Sequence, residues 1–397
     1  MDFKMLGSIL LVVGTSIGAG MLALPVATAQ LGFAGSLALL FSCWFVMTMG
    51  AFLILEVNLW MPQNSNLISM AKATIGPVGQ GVAVVSYLLL LYSLISAYIA
   101  GGSDLFHNLL LSRQIDIPSW LSATLFTLIF GTVVFLGIRA VDYVNRGLMF
   151  VKLSAYALLI ALLFPFISSD NLMQGNFKQV SSATAIMVTI TSFGYATIIP
   201  SLRIYFAGDI RKLKKAILIG SLIPLICYIL WDAAIMGLIP LQGDHGLIAI
   251  LQSRTSTSDL VNTLSAAASS QSVTLFAKLF TSICVLTSFL GVSLCLTDFL
   301  ADGLKYEKEG MSNVIISLLT FLPPFLIVLF FPGIFIRALE YAGILCVILL
   351  LLLPAWMAWM GRYRRKMSGS FKVLGEKSLL AFILVFSGAL IVRSLMG

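Results

Sequence analysis

Charged side chains are scarce in this sequence. Asp, Glu, Lys and Arg together make up 10% of the 397 residues, whereas a typical soluble domain has roughly 25%. Hydrophobic residues reach 59%, so there is too little polar surface to cover a water-soluble globule of this length. The composition also excludes a disordered chain, and it predicts an all-α polytopic membrane protein that lies in a lipid bilayer.

Histidine is nearly absent, and cysteine shows no spacing typical of a metal site. His107 and His245 are the two histidines, and both are expected on the periplasmic side. The five cysteines fall inside apolar runs, without zinc-type spacing or an extracellular disulfide framework. The sequence also has no Ser-His-Asp, HExxH or Walker motif, so it does not favour an enzyme or an ATP-driven pump. We therefore expect no catalytic residues, no cofactor and no metal site.

Long apolar runs are abundant, and each is a candidate transmembrane helix. A hydrocarbon core of about 30 Å requires about 20 apolar residues per helix. Eleven runs have roughly this length, namely 6–31, 33–60, 79–110, 120–138, 145–166, 183–205, 216–239, 272–300, 312–331, 335–360 and 379–396. The sequence therefore predicts 11 transmembrane helices in one domain that spans residues 1–397.

Lysine and arginine are distributed unevenly between the predicted loops. With a cytoplasmic N-terminus, 18 of the 24 Lys and Arg residues lie on the inner side, as cytoplasmic loops are enriched in both. The N-terminus is then cytoplasmic and the C-terminus periplasmic. The formal net charge of +8 is explained by these loops, so we expect no nucleic-acid partner.

The first apolar run is rich in glycine where a helix would be buried. Gly14, Gly18 and Gly20 lie within seven residues, and Pro25 follows; each glycine costs a helix interior about 1 kcal/mol relative to alanine. One interpretation is close packing through small residues four apart. The other is a helix that unwinds in mid-membrane, so that free N–H groups point at an anion.

The sixth run contains a similar interruption. Gly194 lies among small hydroxyl residues, and Pro200 follows. Spans one and six are corresponding members of two five-helix halves, 6–166 and 183–360, and the second half enters from the opposite face because five is odd. Paired interruptions in inverted halves indicate a transporter substrate site. The helix 379–396 is extra, and the polar segment 241–271 is either a surface loop with a short helix or an element that caps a gate.

An amino-acid zwitterion would suit this pair of interruptions. The N–H groups of Gly18, Ala19 and Gly20 suit a carboxylate, and carbonyls freed at half-helix ends suit an ammonium. Aromatic side chains nearby would line an apolar pocket, and Tyr92 and Ser96 share a helix face. The predicted substrate-binding residues are Thr15, Ser16, Gly18, Ala19, Gly20, Tyr92, Ser96, Thr191, Ser192, Phe193, Tyr195 and Phe289.

Ionisable residues within the spans each need an explanation, because a charge at mid-bilayer costs at least about 2.5–3.5 kcal/mol. Interfacial positions explain Glu56, Asp298, Asp104, His107, Arg337 and Glu340, and Arg337 with Glu340 could also form an outer gate pair. Lys152 and Asp232 are deeper. Lys152 lies about 12 Å beyond the cytoplasmic end of its span, where it either carries the coupled proton or reaches back to the interface. Asp232 could relay protons, bind an ammonium or bond another helix.

Several segments together resemble one family. They are 14–25, Glu56-Val57-Asn58, Ser192-Phe193-Gly194, Ile199-Pro200-Ser201, Ser288-Phe289-Leu290-Gly291 and, most specific, Thr297-Asp298-Phe299-Leu300-Ala301-Asp302-Gly303. The whole chain resembles the hydroxy and aromatic amino acid permeases of the amino acid-polyamine-organocation superfamily, which are bacterial inner-membrane proteins. The resemblance implies a leucine-transporter-type 5+5 inverted repeat with discontinuous helices 1 and 6, an extra helix 11, and uptake driven by a proton gradient.

The resemblance also implies a role for Lys152. In this fold a cation lies between spans one, five and eight, and a lysine there resembles the replacement of sodium in some proton-coupled members. Tyrosine is the expected substrate. Tryptophan or a broader neutral amino-acid range remains an alternative, because Gly194 is followed by Tyr195-Ala196 where we expect Phe-His in the family. Sodium coupling is a separate alternative, in which Ser288 and nearby hydroxyls bind sodium and Lys152 points elsewhere.

Overall fold

A computed structural model describes residues 3–176, 182–206 and 209–396 of the chain. Within these ranges the backbone forms helices and turns, and no strand is found there. Lys178, one of the basic residues that we assign to the outer side, lies outside the described residues. The all-helical fold agrees with the composition, because a helix satisfies its backbone polar groups internally in lipid.

The α-helices are numbered in chain order. The first nine are α1 Phe3–Ser16, α2 Ala19–Ala27, α3 Gly32–Leu59, α4 Leu67–Thr74, α5 Pro77–Leu111, α6 Ser119–Phe135, α7 Ile138–Leu163, α8 Ser169–Leu172 and α9 Ala183–Ser192. The rest are α10 Ile199–Tyr205, α11 Ile210–Leu238, α12 Leu247–Gln252, α13 Ser256–Ala268, α14 Gln271–Leu304, α15 Gly310–Phe330, α16 Phe335–Val347, α17 Leu353–Trp359 and α18 Glu376–Met396. A π-helical segment, Ile348–Leu352, joins α16 to α17.

Most of these helices are long and apolar enough to cross a membrane. In the described residues nine helical rods meet that condition, and the bent pair α1 and α2 would make ten. Helix α6 is apolar but has 17 residues, or about 26 Å at 1.5 Å per residue. The chain is therefore a multi-pass membrane protein, while the count of eleven spans and the inverted repeat stay predictions.

Local sequence signals explain where several helices begin. In α4 the Asn66 side chain accepts from the Ser69 N–H at 2.9 Å, and the Asn66 N–H donates to the Ser69 hydroxyl at 2.9 Å. Pro77 occupies the first turn of α5, where a missing N–H costs nothing. The Asp209 carboxylate accepts from the Lys212 N–H at the start of α11. These caps satisfy N–H groups that helix ends leave free.

The polar segment 241–271 packs against the helical bundle. It forms α12 and α13, and Ser256, Thr257 and Ser258 are buried. The Asp104 carboxylate on α5 accepts from the Ser258 N–H at 2.8 Å and from its hydroxyl at 2.6 Å. An anion is favourable at the start of α13 because the helix exposes free N–H groups there. Asp104 is thus a docking residue for this segment, which is more than the interfacial position that we expected.

Candidate functional site

The first span is interrupted where its glycines predict an interruption. Helix α1 ends at Ser16, α2 begins at Ala19, and the two axes differ by 52°. The Ala19 N–H donates to the Ser288 hydroxyl at 3.1 Å, whereas no acceptor for the N–H of Gly18 or Gly20 is found among the described residues. A Cβ at residue 18 would overlap the Ser288 hydroxyl, so only glycine fits there without a shift of the serine.

The second interruption is a change of helix type rather than a sharp bend. Helix α9 ends at Ser192, a 3-10 turn runs over Gly194–Ile198, and α10 begins at Ile199. The rod is continuous over Ala183–Tyr205. The tighter turn leaves the Ser192 carbonyl outside the α-helical pairing, because a 3-10 turn bonds residues three apart.

The two interruptions lie next to each other. The Tyr228 hydroxyl on α11 is 2.7 Å from the Ser16 carbonyl oxygen and 2.8 Å from that of Ser192. A Cβ added at Gly20 would be 3.0 Å from the Ser192 hydroxyl oxygen. Backbone groups of both broken helices therefore meet at one buried place, which we call the break site and define by Ser16–Gly20, Ser192 and Tyr228.

Lys152 reaches the break site from α7. Its Nζ donates to the Ile17 carbonyl at 2.7 Å and lies 3.3 Å from the Thr287 hydroxyl oxygen on α14. The side chain is 1% exposed, so it does not extend to the membrane interface. The ammonium thus links α7 to the interruption between α1 and α2 and to α14, and its partners are neutral oxygens.

Asp232 is buried at a separate place. Its Oδ2 accepts a very short hydrogen bond from the Ser36 hydroxyl on α3, and the side chain lies beside Thr28. No partner for Oδ1 is found in the described part of the chain. The carboxylate is fully enclosed, and its contacts connect α11 with α3 and the end of α2.

The predicted aromatic residues differ in their surroundings. The Phe193 ring packs edge-on against Tyr228, with centroids 5.1 Å apart, and so borders the break site. The Tyr195 hydroxyl instead lies 3.1 Å from the Thr48 hydroxyl on α3. Phe289 packs against Phe126 and Phe321, with centroids 5.3 and 5.7 Å away. The structure therefore brings only Phe193 of these three to the break site.

Tyr92 and Ser96 share a face of α5, as expected, but the structure does not bring this face to the break site. The Tyr92 hydroxyl donates to the Leu319 carbonyl on α15 at 2.7 Å, and Ser96 donates to the Tyr92 carbonyl. Both residues line a groove of about 1030 Å³ that α15 and α16 complete. Tyr98, six residues after Tyr92, lies beside Ser288 instead.

Three predicted hydroxyl residues use their side chains within their own helices. Thr15, Ser16 and Ser192 donate to carbonyls four residues earlier, which is the usual back-bonding of Ser and Thr in helices. The Thr191 hydroxyl oxygen lies 2.9 Å from the Met187 carbonyl oxygen of its own helix. It also lies 2.9 Å from the Leu339 carbonyl oxygen on α16. In this group the backbone carbonyls of Ser16 and Ser192 face the break site, and the Ser192 hydroxyl borders it beside Gly20.

The expected gate pair is not formed in the described structure. Arg337 is exposed, and no ion pair joins it to Glu340 there. The Glu340 carboxylate accepts from the Thr184 hydroxyl on α9 at 3.0 Å. Glu340 thus connects α16 with the start of α9, whereas Arg337 lines the groove beside Tyr92.

A buried ion pair joins Glu56, near the C-terminal end of α3, to Arg362. Arg362 donates to both carboxylate oxygens of Glu56, at 2.7 and 2.5 Å, and the Val373 N–H donates to the same carboxylate at 2.7 Å. The Glu56 side chain is 1% exposed, so the protein encloses this carboxylate near the helix end, while its interfacial position stays a prediction. Nearby, Arg203 donates to the Met61 carbonyl at 3.0 Å and contacts Asn58.

Sequence reasoning did not select Tyr228, Tyr98 or Thr287, although all three lie at or beside the break site. Each is on a helix that is apolar over most of its surface, where helical spacing shows which residues share a face but not which face points inward. One usable signal was present for Thr287, because it precedes Ser288 in a segment of the family resemblance.

The known proteins that this chain is similar to are amino-acid transport proteins. The chain is 37% identical over 383 residues to the tyrosine-specific transport system 1 of Haemophilus influenzae, covering 96% of this chain and 94% of that protein. It is 32% identical to the tryptophan-specific transport protein of Pseudomonas aeruginosa, with 97% and 93% covered. It is 31% identical to the glutamine transporter 2 of Aliivibrio fischeri, with 90% and 89% covered.

A family model gives the same assignment over nearly the full length of the chain. The model of the tryptophan/tyrosine permease family matches residues 1–394. The match therefore includes both interrupted helices, Lys152 and the ion pair at the end of α3. The chain belongs to the tryptophan/tyrosine permease family of bacterial membrane transport proteins, and it is a permease rather than an enzyme.

Proposed function

We propose that this protein imports an aromatic amino acid, with tyrosine as the first candidate, by proton symport with alternating access. Its location would be the bacterial inner membrane, with the N-terminus in the cytoplasm and the C-terminus in the periplasm. The proton gradient would supply the energy, so no cofactor is needed. The two tyrosine-specific relatives, at 37% and 35% identity, support tyrosine over tryptophan, for which relatives are 27–32% identical.

The observation that carries the proposal is the meeting of two interrupted helices at the break site. The N–H groups of Gly18 and Gly20 have no acceptor in the described chain and can bind a carboxylate. The Ser16 and Ser192 carbonyls converge within 3 Å of one hydroxyl and can bind an ammonium. Such backbone groups inside a membrane are tolerated where they line a substrate cavity.

Lys152 supports proton coupling over sodium coupling. Its ammonium contacts the Ile17 carbonyl and lies near Thr287, two oxygens that sodium would otherwise use together with Ser288. A lysine can release its proton during a transport cycle when its surroundings change, because burial removes the water that stabilises its charge. Asp232, whose Oδ1 has no partner in the described chain, is the second candidate for a proton carrier.

Transport by purified protein in vesicles tests the function. Proteoliposomes in sodium-free buffer, with an acidic outside, should accumulate labelled L-tyrosine above its equilibrium level. Dissipating the pH gradient should stop accumulation. Stronger uptake of tryptophan or glutamine than of tyrosine would show that tyrosine is not the main substrate. Accumulation that requires sodium would show that sodium, rather than the proton, is the coupled ion.

Gly20→Val tests the position of the carboxylate. Because a Cβ at residue 20 would already lie 3.0 Å from the Ser192 hydroxyl oxygen, the branched side chain would close the space beside the free N–H groups. We expect tyrosine binding and transport to be lost while the protein still folds. Gly291→Val on α14 is the matched control, since nothing lies within 4 Å of a Cβ there. Normal uptake by Gly20→Val would remove the proposed site.

A further inference from the structure

The Tyr228 hydroxyl bridges the two interrupted helices in an unusual way. It lies 2.7 Å from the Ser16 carbonyl oxygen and 2.8 Å from the Ser192 carbonyl oxygen. Its ring is fully buried and held edge-on by Phe193. The hydroxyl is therefore fixed between two carbonyls that belong to different broken helices.

This place has one hydrogen-bond donor fewer than its two carbonyl acceptors need. A tyrosine hydroxyl has a single O–H donor, so it can satisfy only one of the two carbonyls at a time. The described residues provide no donor to the Tyr228 oxygen itself, which leaves its lone pairs unused. Leaving a buried acceptor unsatisfied costs about 1–3 kcal/mol. The three oxygens thus form an acceptor set that needs additional N–H or O–H groups.

We propose that Tyr228 is a specificity-determining residue that recognises the substrate's α-ammonium group. An ammonium carries three N–H donors, so it can donate to the Tyr228 oxygen and to one of the Ser16 and Ser192 carbonyls, while the tyrosine O–H donates to the other carbonyl. The tyrosine O–H then rotates away from whichever carbonyl the ammonium takes. This inference rests on the proposed function and adds to it a side chain that selects α-amino acids over analogues without the amine.

A purely structural role is the competing explanation. Tyr228 could act only as a tie that holds α1 and α9 against α11. In that case its hydroxyl would affect the binding of every ligand equally, through the stability of the site. Recognition of the ammonium would instead change the ratio between ligands with and without the amine.

The experiment compares Tyr228→Phe with Tyr156→Phe in the full-length purified protein. Tyr156 is the matched control, because its buried hydroxyl donates to the Cys227 carbonyl at 2.8 Å, next to Tyr228 in the chain but with a single acceptor. The measurement is competition against labelled L-tyrosine by unlabelled L-tyrosine and by 3-(4-hydroxyphenyl)propionate, which lacks the amine. The readout is the ratio of the two inhibition constants.

We expect Tyr228→Phe to reduce this ratio about tenfold or more, since a hydrogen bond to a charged group contributes about 1.5–3 kcal/mol. Tyr156→Phe should leave the ratio unchanged. An unchanged ratio in Tyr228→Phe, with or without weaker binding overall, would overturn the inference and support a structural tie.

A second measurement keeps the inference testable if Tyr228→Phe does not fold. On the wild type, L-tyrosine, its N-methyl and its N,N-dimethyl derivatives should bind progressively more weakly, because each methyl group removes one N–H donor. Equal binding of the three would overturn the inference. If the wild type prefers another α-amino acid, the tyrosine proposal fails, while the same comparison on that amino acid still tests the ammonium contact that the inference requires. If it binds no α-amino acid, both fail.

Discussion

Two buried cations in this membrane protein have opposite surroundings. Arg362 shares two hydrogen bonds with the Glu56 carboxylate, at 2.7 and 2.5 Å. Lys152 contacts the Ile17 carbonyl and lies near the Thr287 hydroxyl, and the described chain gives its ammonium no carboxylate partner. Arg362 is thus neutralised by a matched anion, whereas Lys152 is only solvated by neutral oxygens.

The difference indicates different tasks. A buried ion pair fixes both charges, because either partner alone would be an uncompensated charge in a low dielectric. The Glu56 pair therefore holds the end of α3 to Arg362 and Val373 as a structural contact. A buried lysine without an anion is stabilised only weakly in its charged form, so a change at the Ile17 carbonyl can change its protonation.

Placing an anion beside Lys152 should have the largest effect, and that effect should be on accumulation driven by the pH gradient. Thr287→Asp would place a carboxylate close to Nζ and hold the ammonium charged. We expect accumulation driven by the pH gradient to fall to background, while the protein remains folded. Thr287→Asn, of similar shape without the charge, should retain most of the accumulation. Accumulation at the wild-type level in Thr287→Asp would show that Lys152 need not lose its proton.

Removing the Glu56 anion beside Arg362 should reduce the stability of the protein rather than the coupling of uptake to the pH gradient. Glu56→Gln leaves the Arg362 guanidinium buried without its charge partner, which costs about 3–5 kcal/mol in the free energy of unfolding. Thermal unfolding in detergent should show a clearly lower transition temperature, and the protein that remains folded should still couple uptake to the pH gradient. Loss of coupling at unchanged stability would contradict a structural role.

Breaking an exposed ion pair should have the smallest effect on the stability of the protein. Asp142 and Arg146 on α7 are joined at 2.8 Å, with side chains 52% and 80% exposed. Such pairs contribute below about 1 kcal/mol, so Asp142→Asn should leave the transition temperature almost unchanged. A loss comparable to that of Glu56→Gln would show that burial is not what separates the two pairs.

Composition and glycine placement were sufficient to predict the helical membrane fold and the interruption of the first span. Glycine at residue 18 lets Ser288 approach closely, since a Cβ there would overlap its hydroxyl unless the serine shifted, and such close packing leaves a visible trace in the sequence. Lys152 is 1% exposed, as its place inside an apolar run suggests, while its depth stays a prediction, because α7 begins at Ile138 rather than at residue 145. Both features depend on position along the chain, which a sequence records directly.

Rotation of the helices about their axes was not predictable. Tyr92 and Ser96 share a face as expected, yet that face borders α15, and Tyr98 lies beside Ser288. The Glu56 pairing with Arg362 joins residues more than 300 positions apart. Because an apolar helix shows no inward face by hydrophobicity alone, these contacts depend on packing between helices.

The central claim is that Lys152 couples transport to the proton, and a comparison of two transport modes tests it most directly. Lys152→Ala in sodium-free proteoliposomes should still exchange internal for external tyrosine, because substrate binding and alternating access do not need the lysine. It should no longer accumulate tyrosine under a pH gradient. Accumulation at the wild-type level by Lys152→Ala would contradict the account.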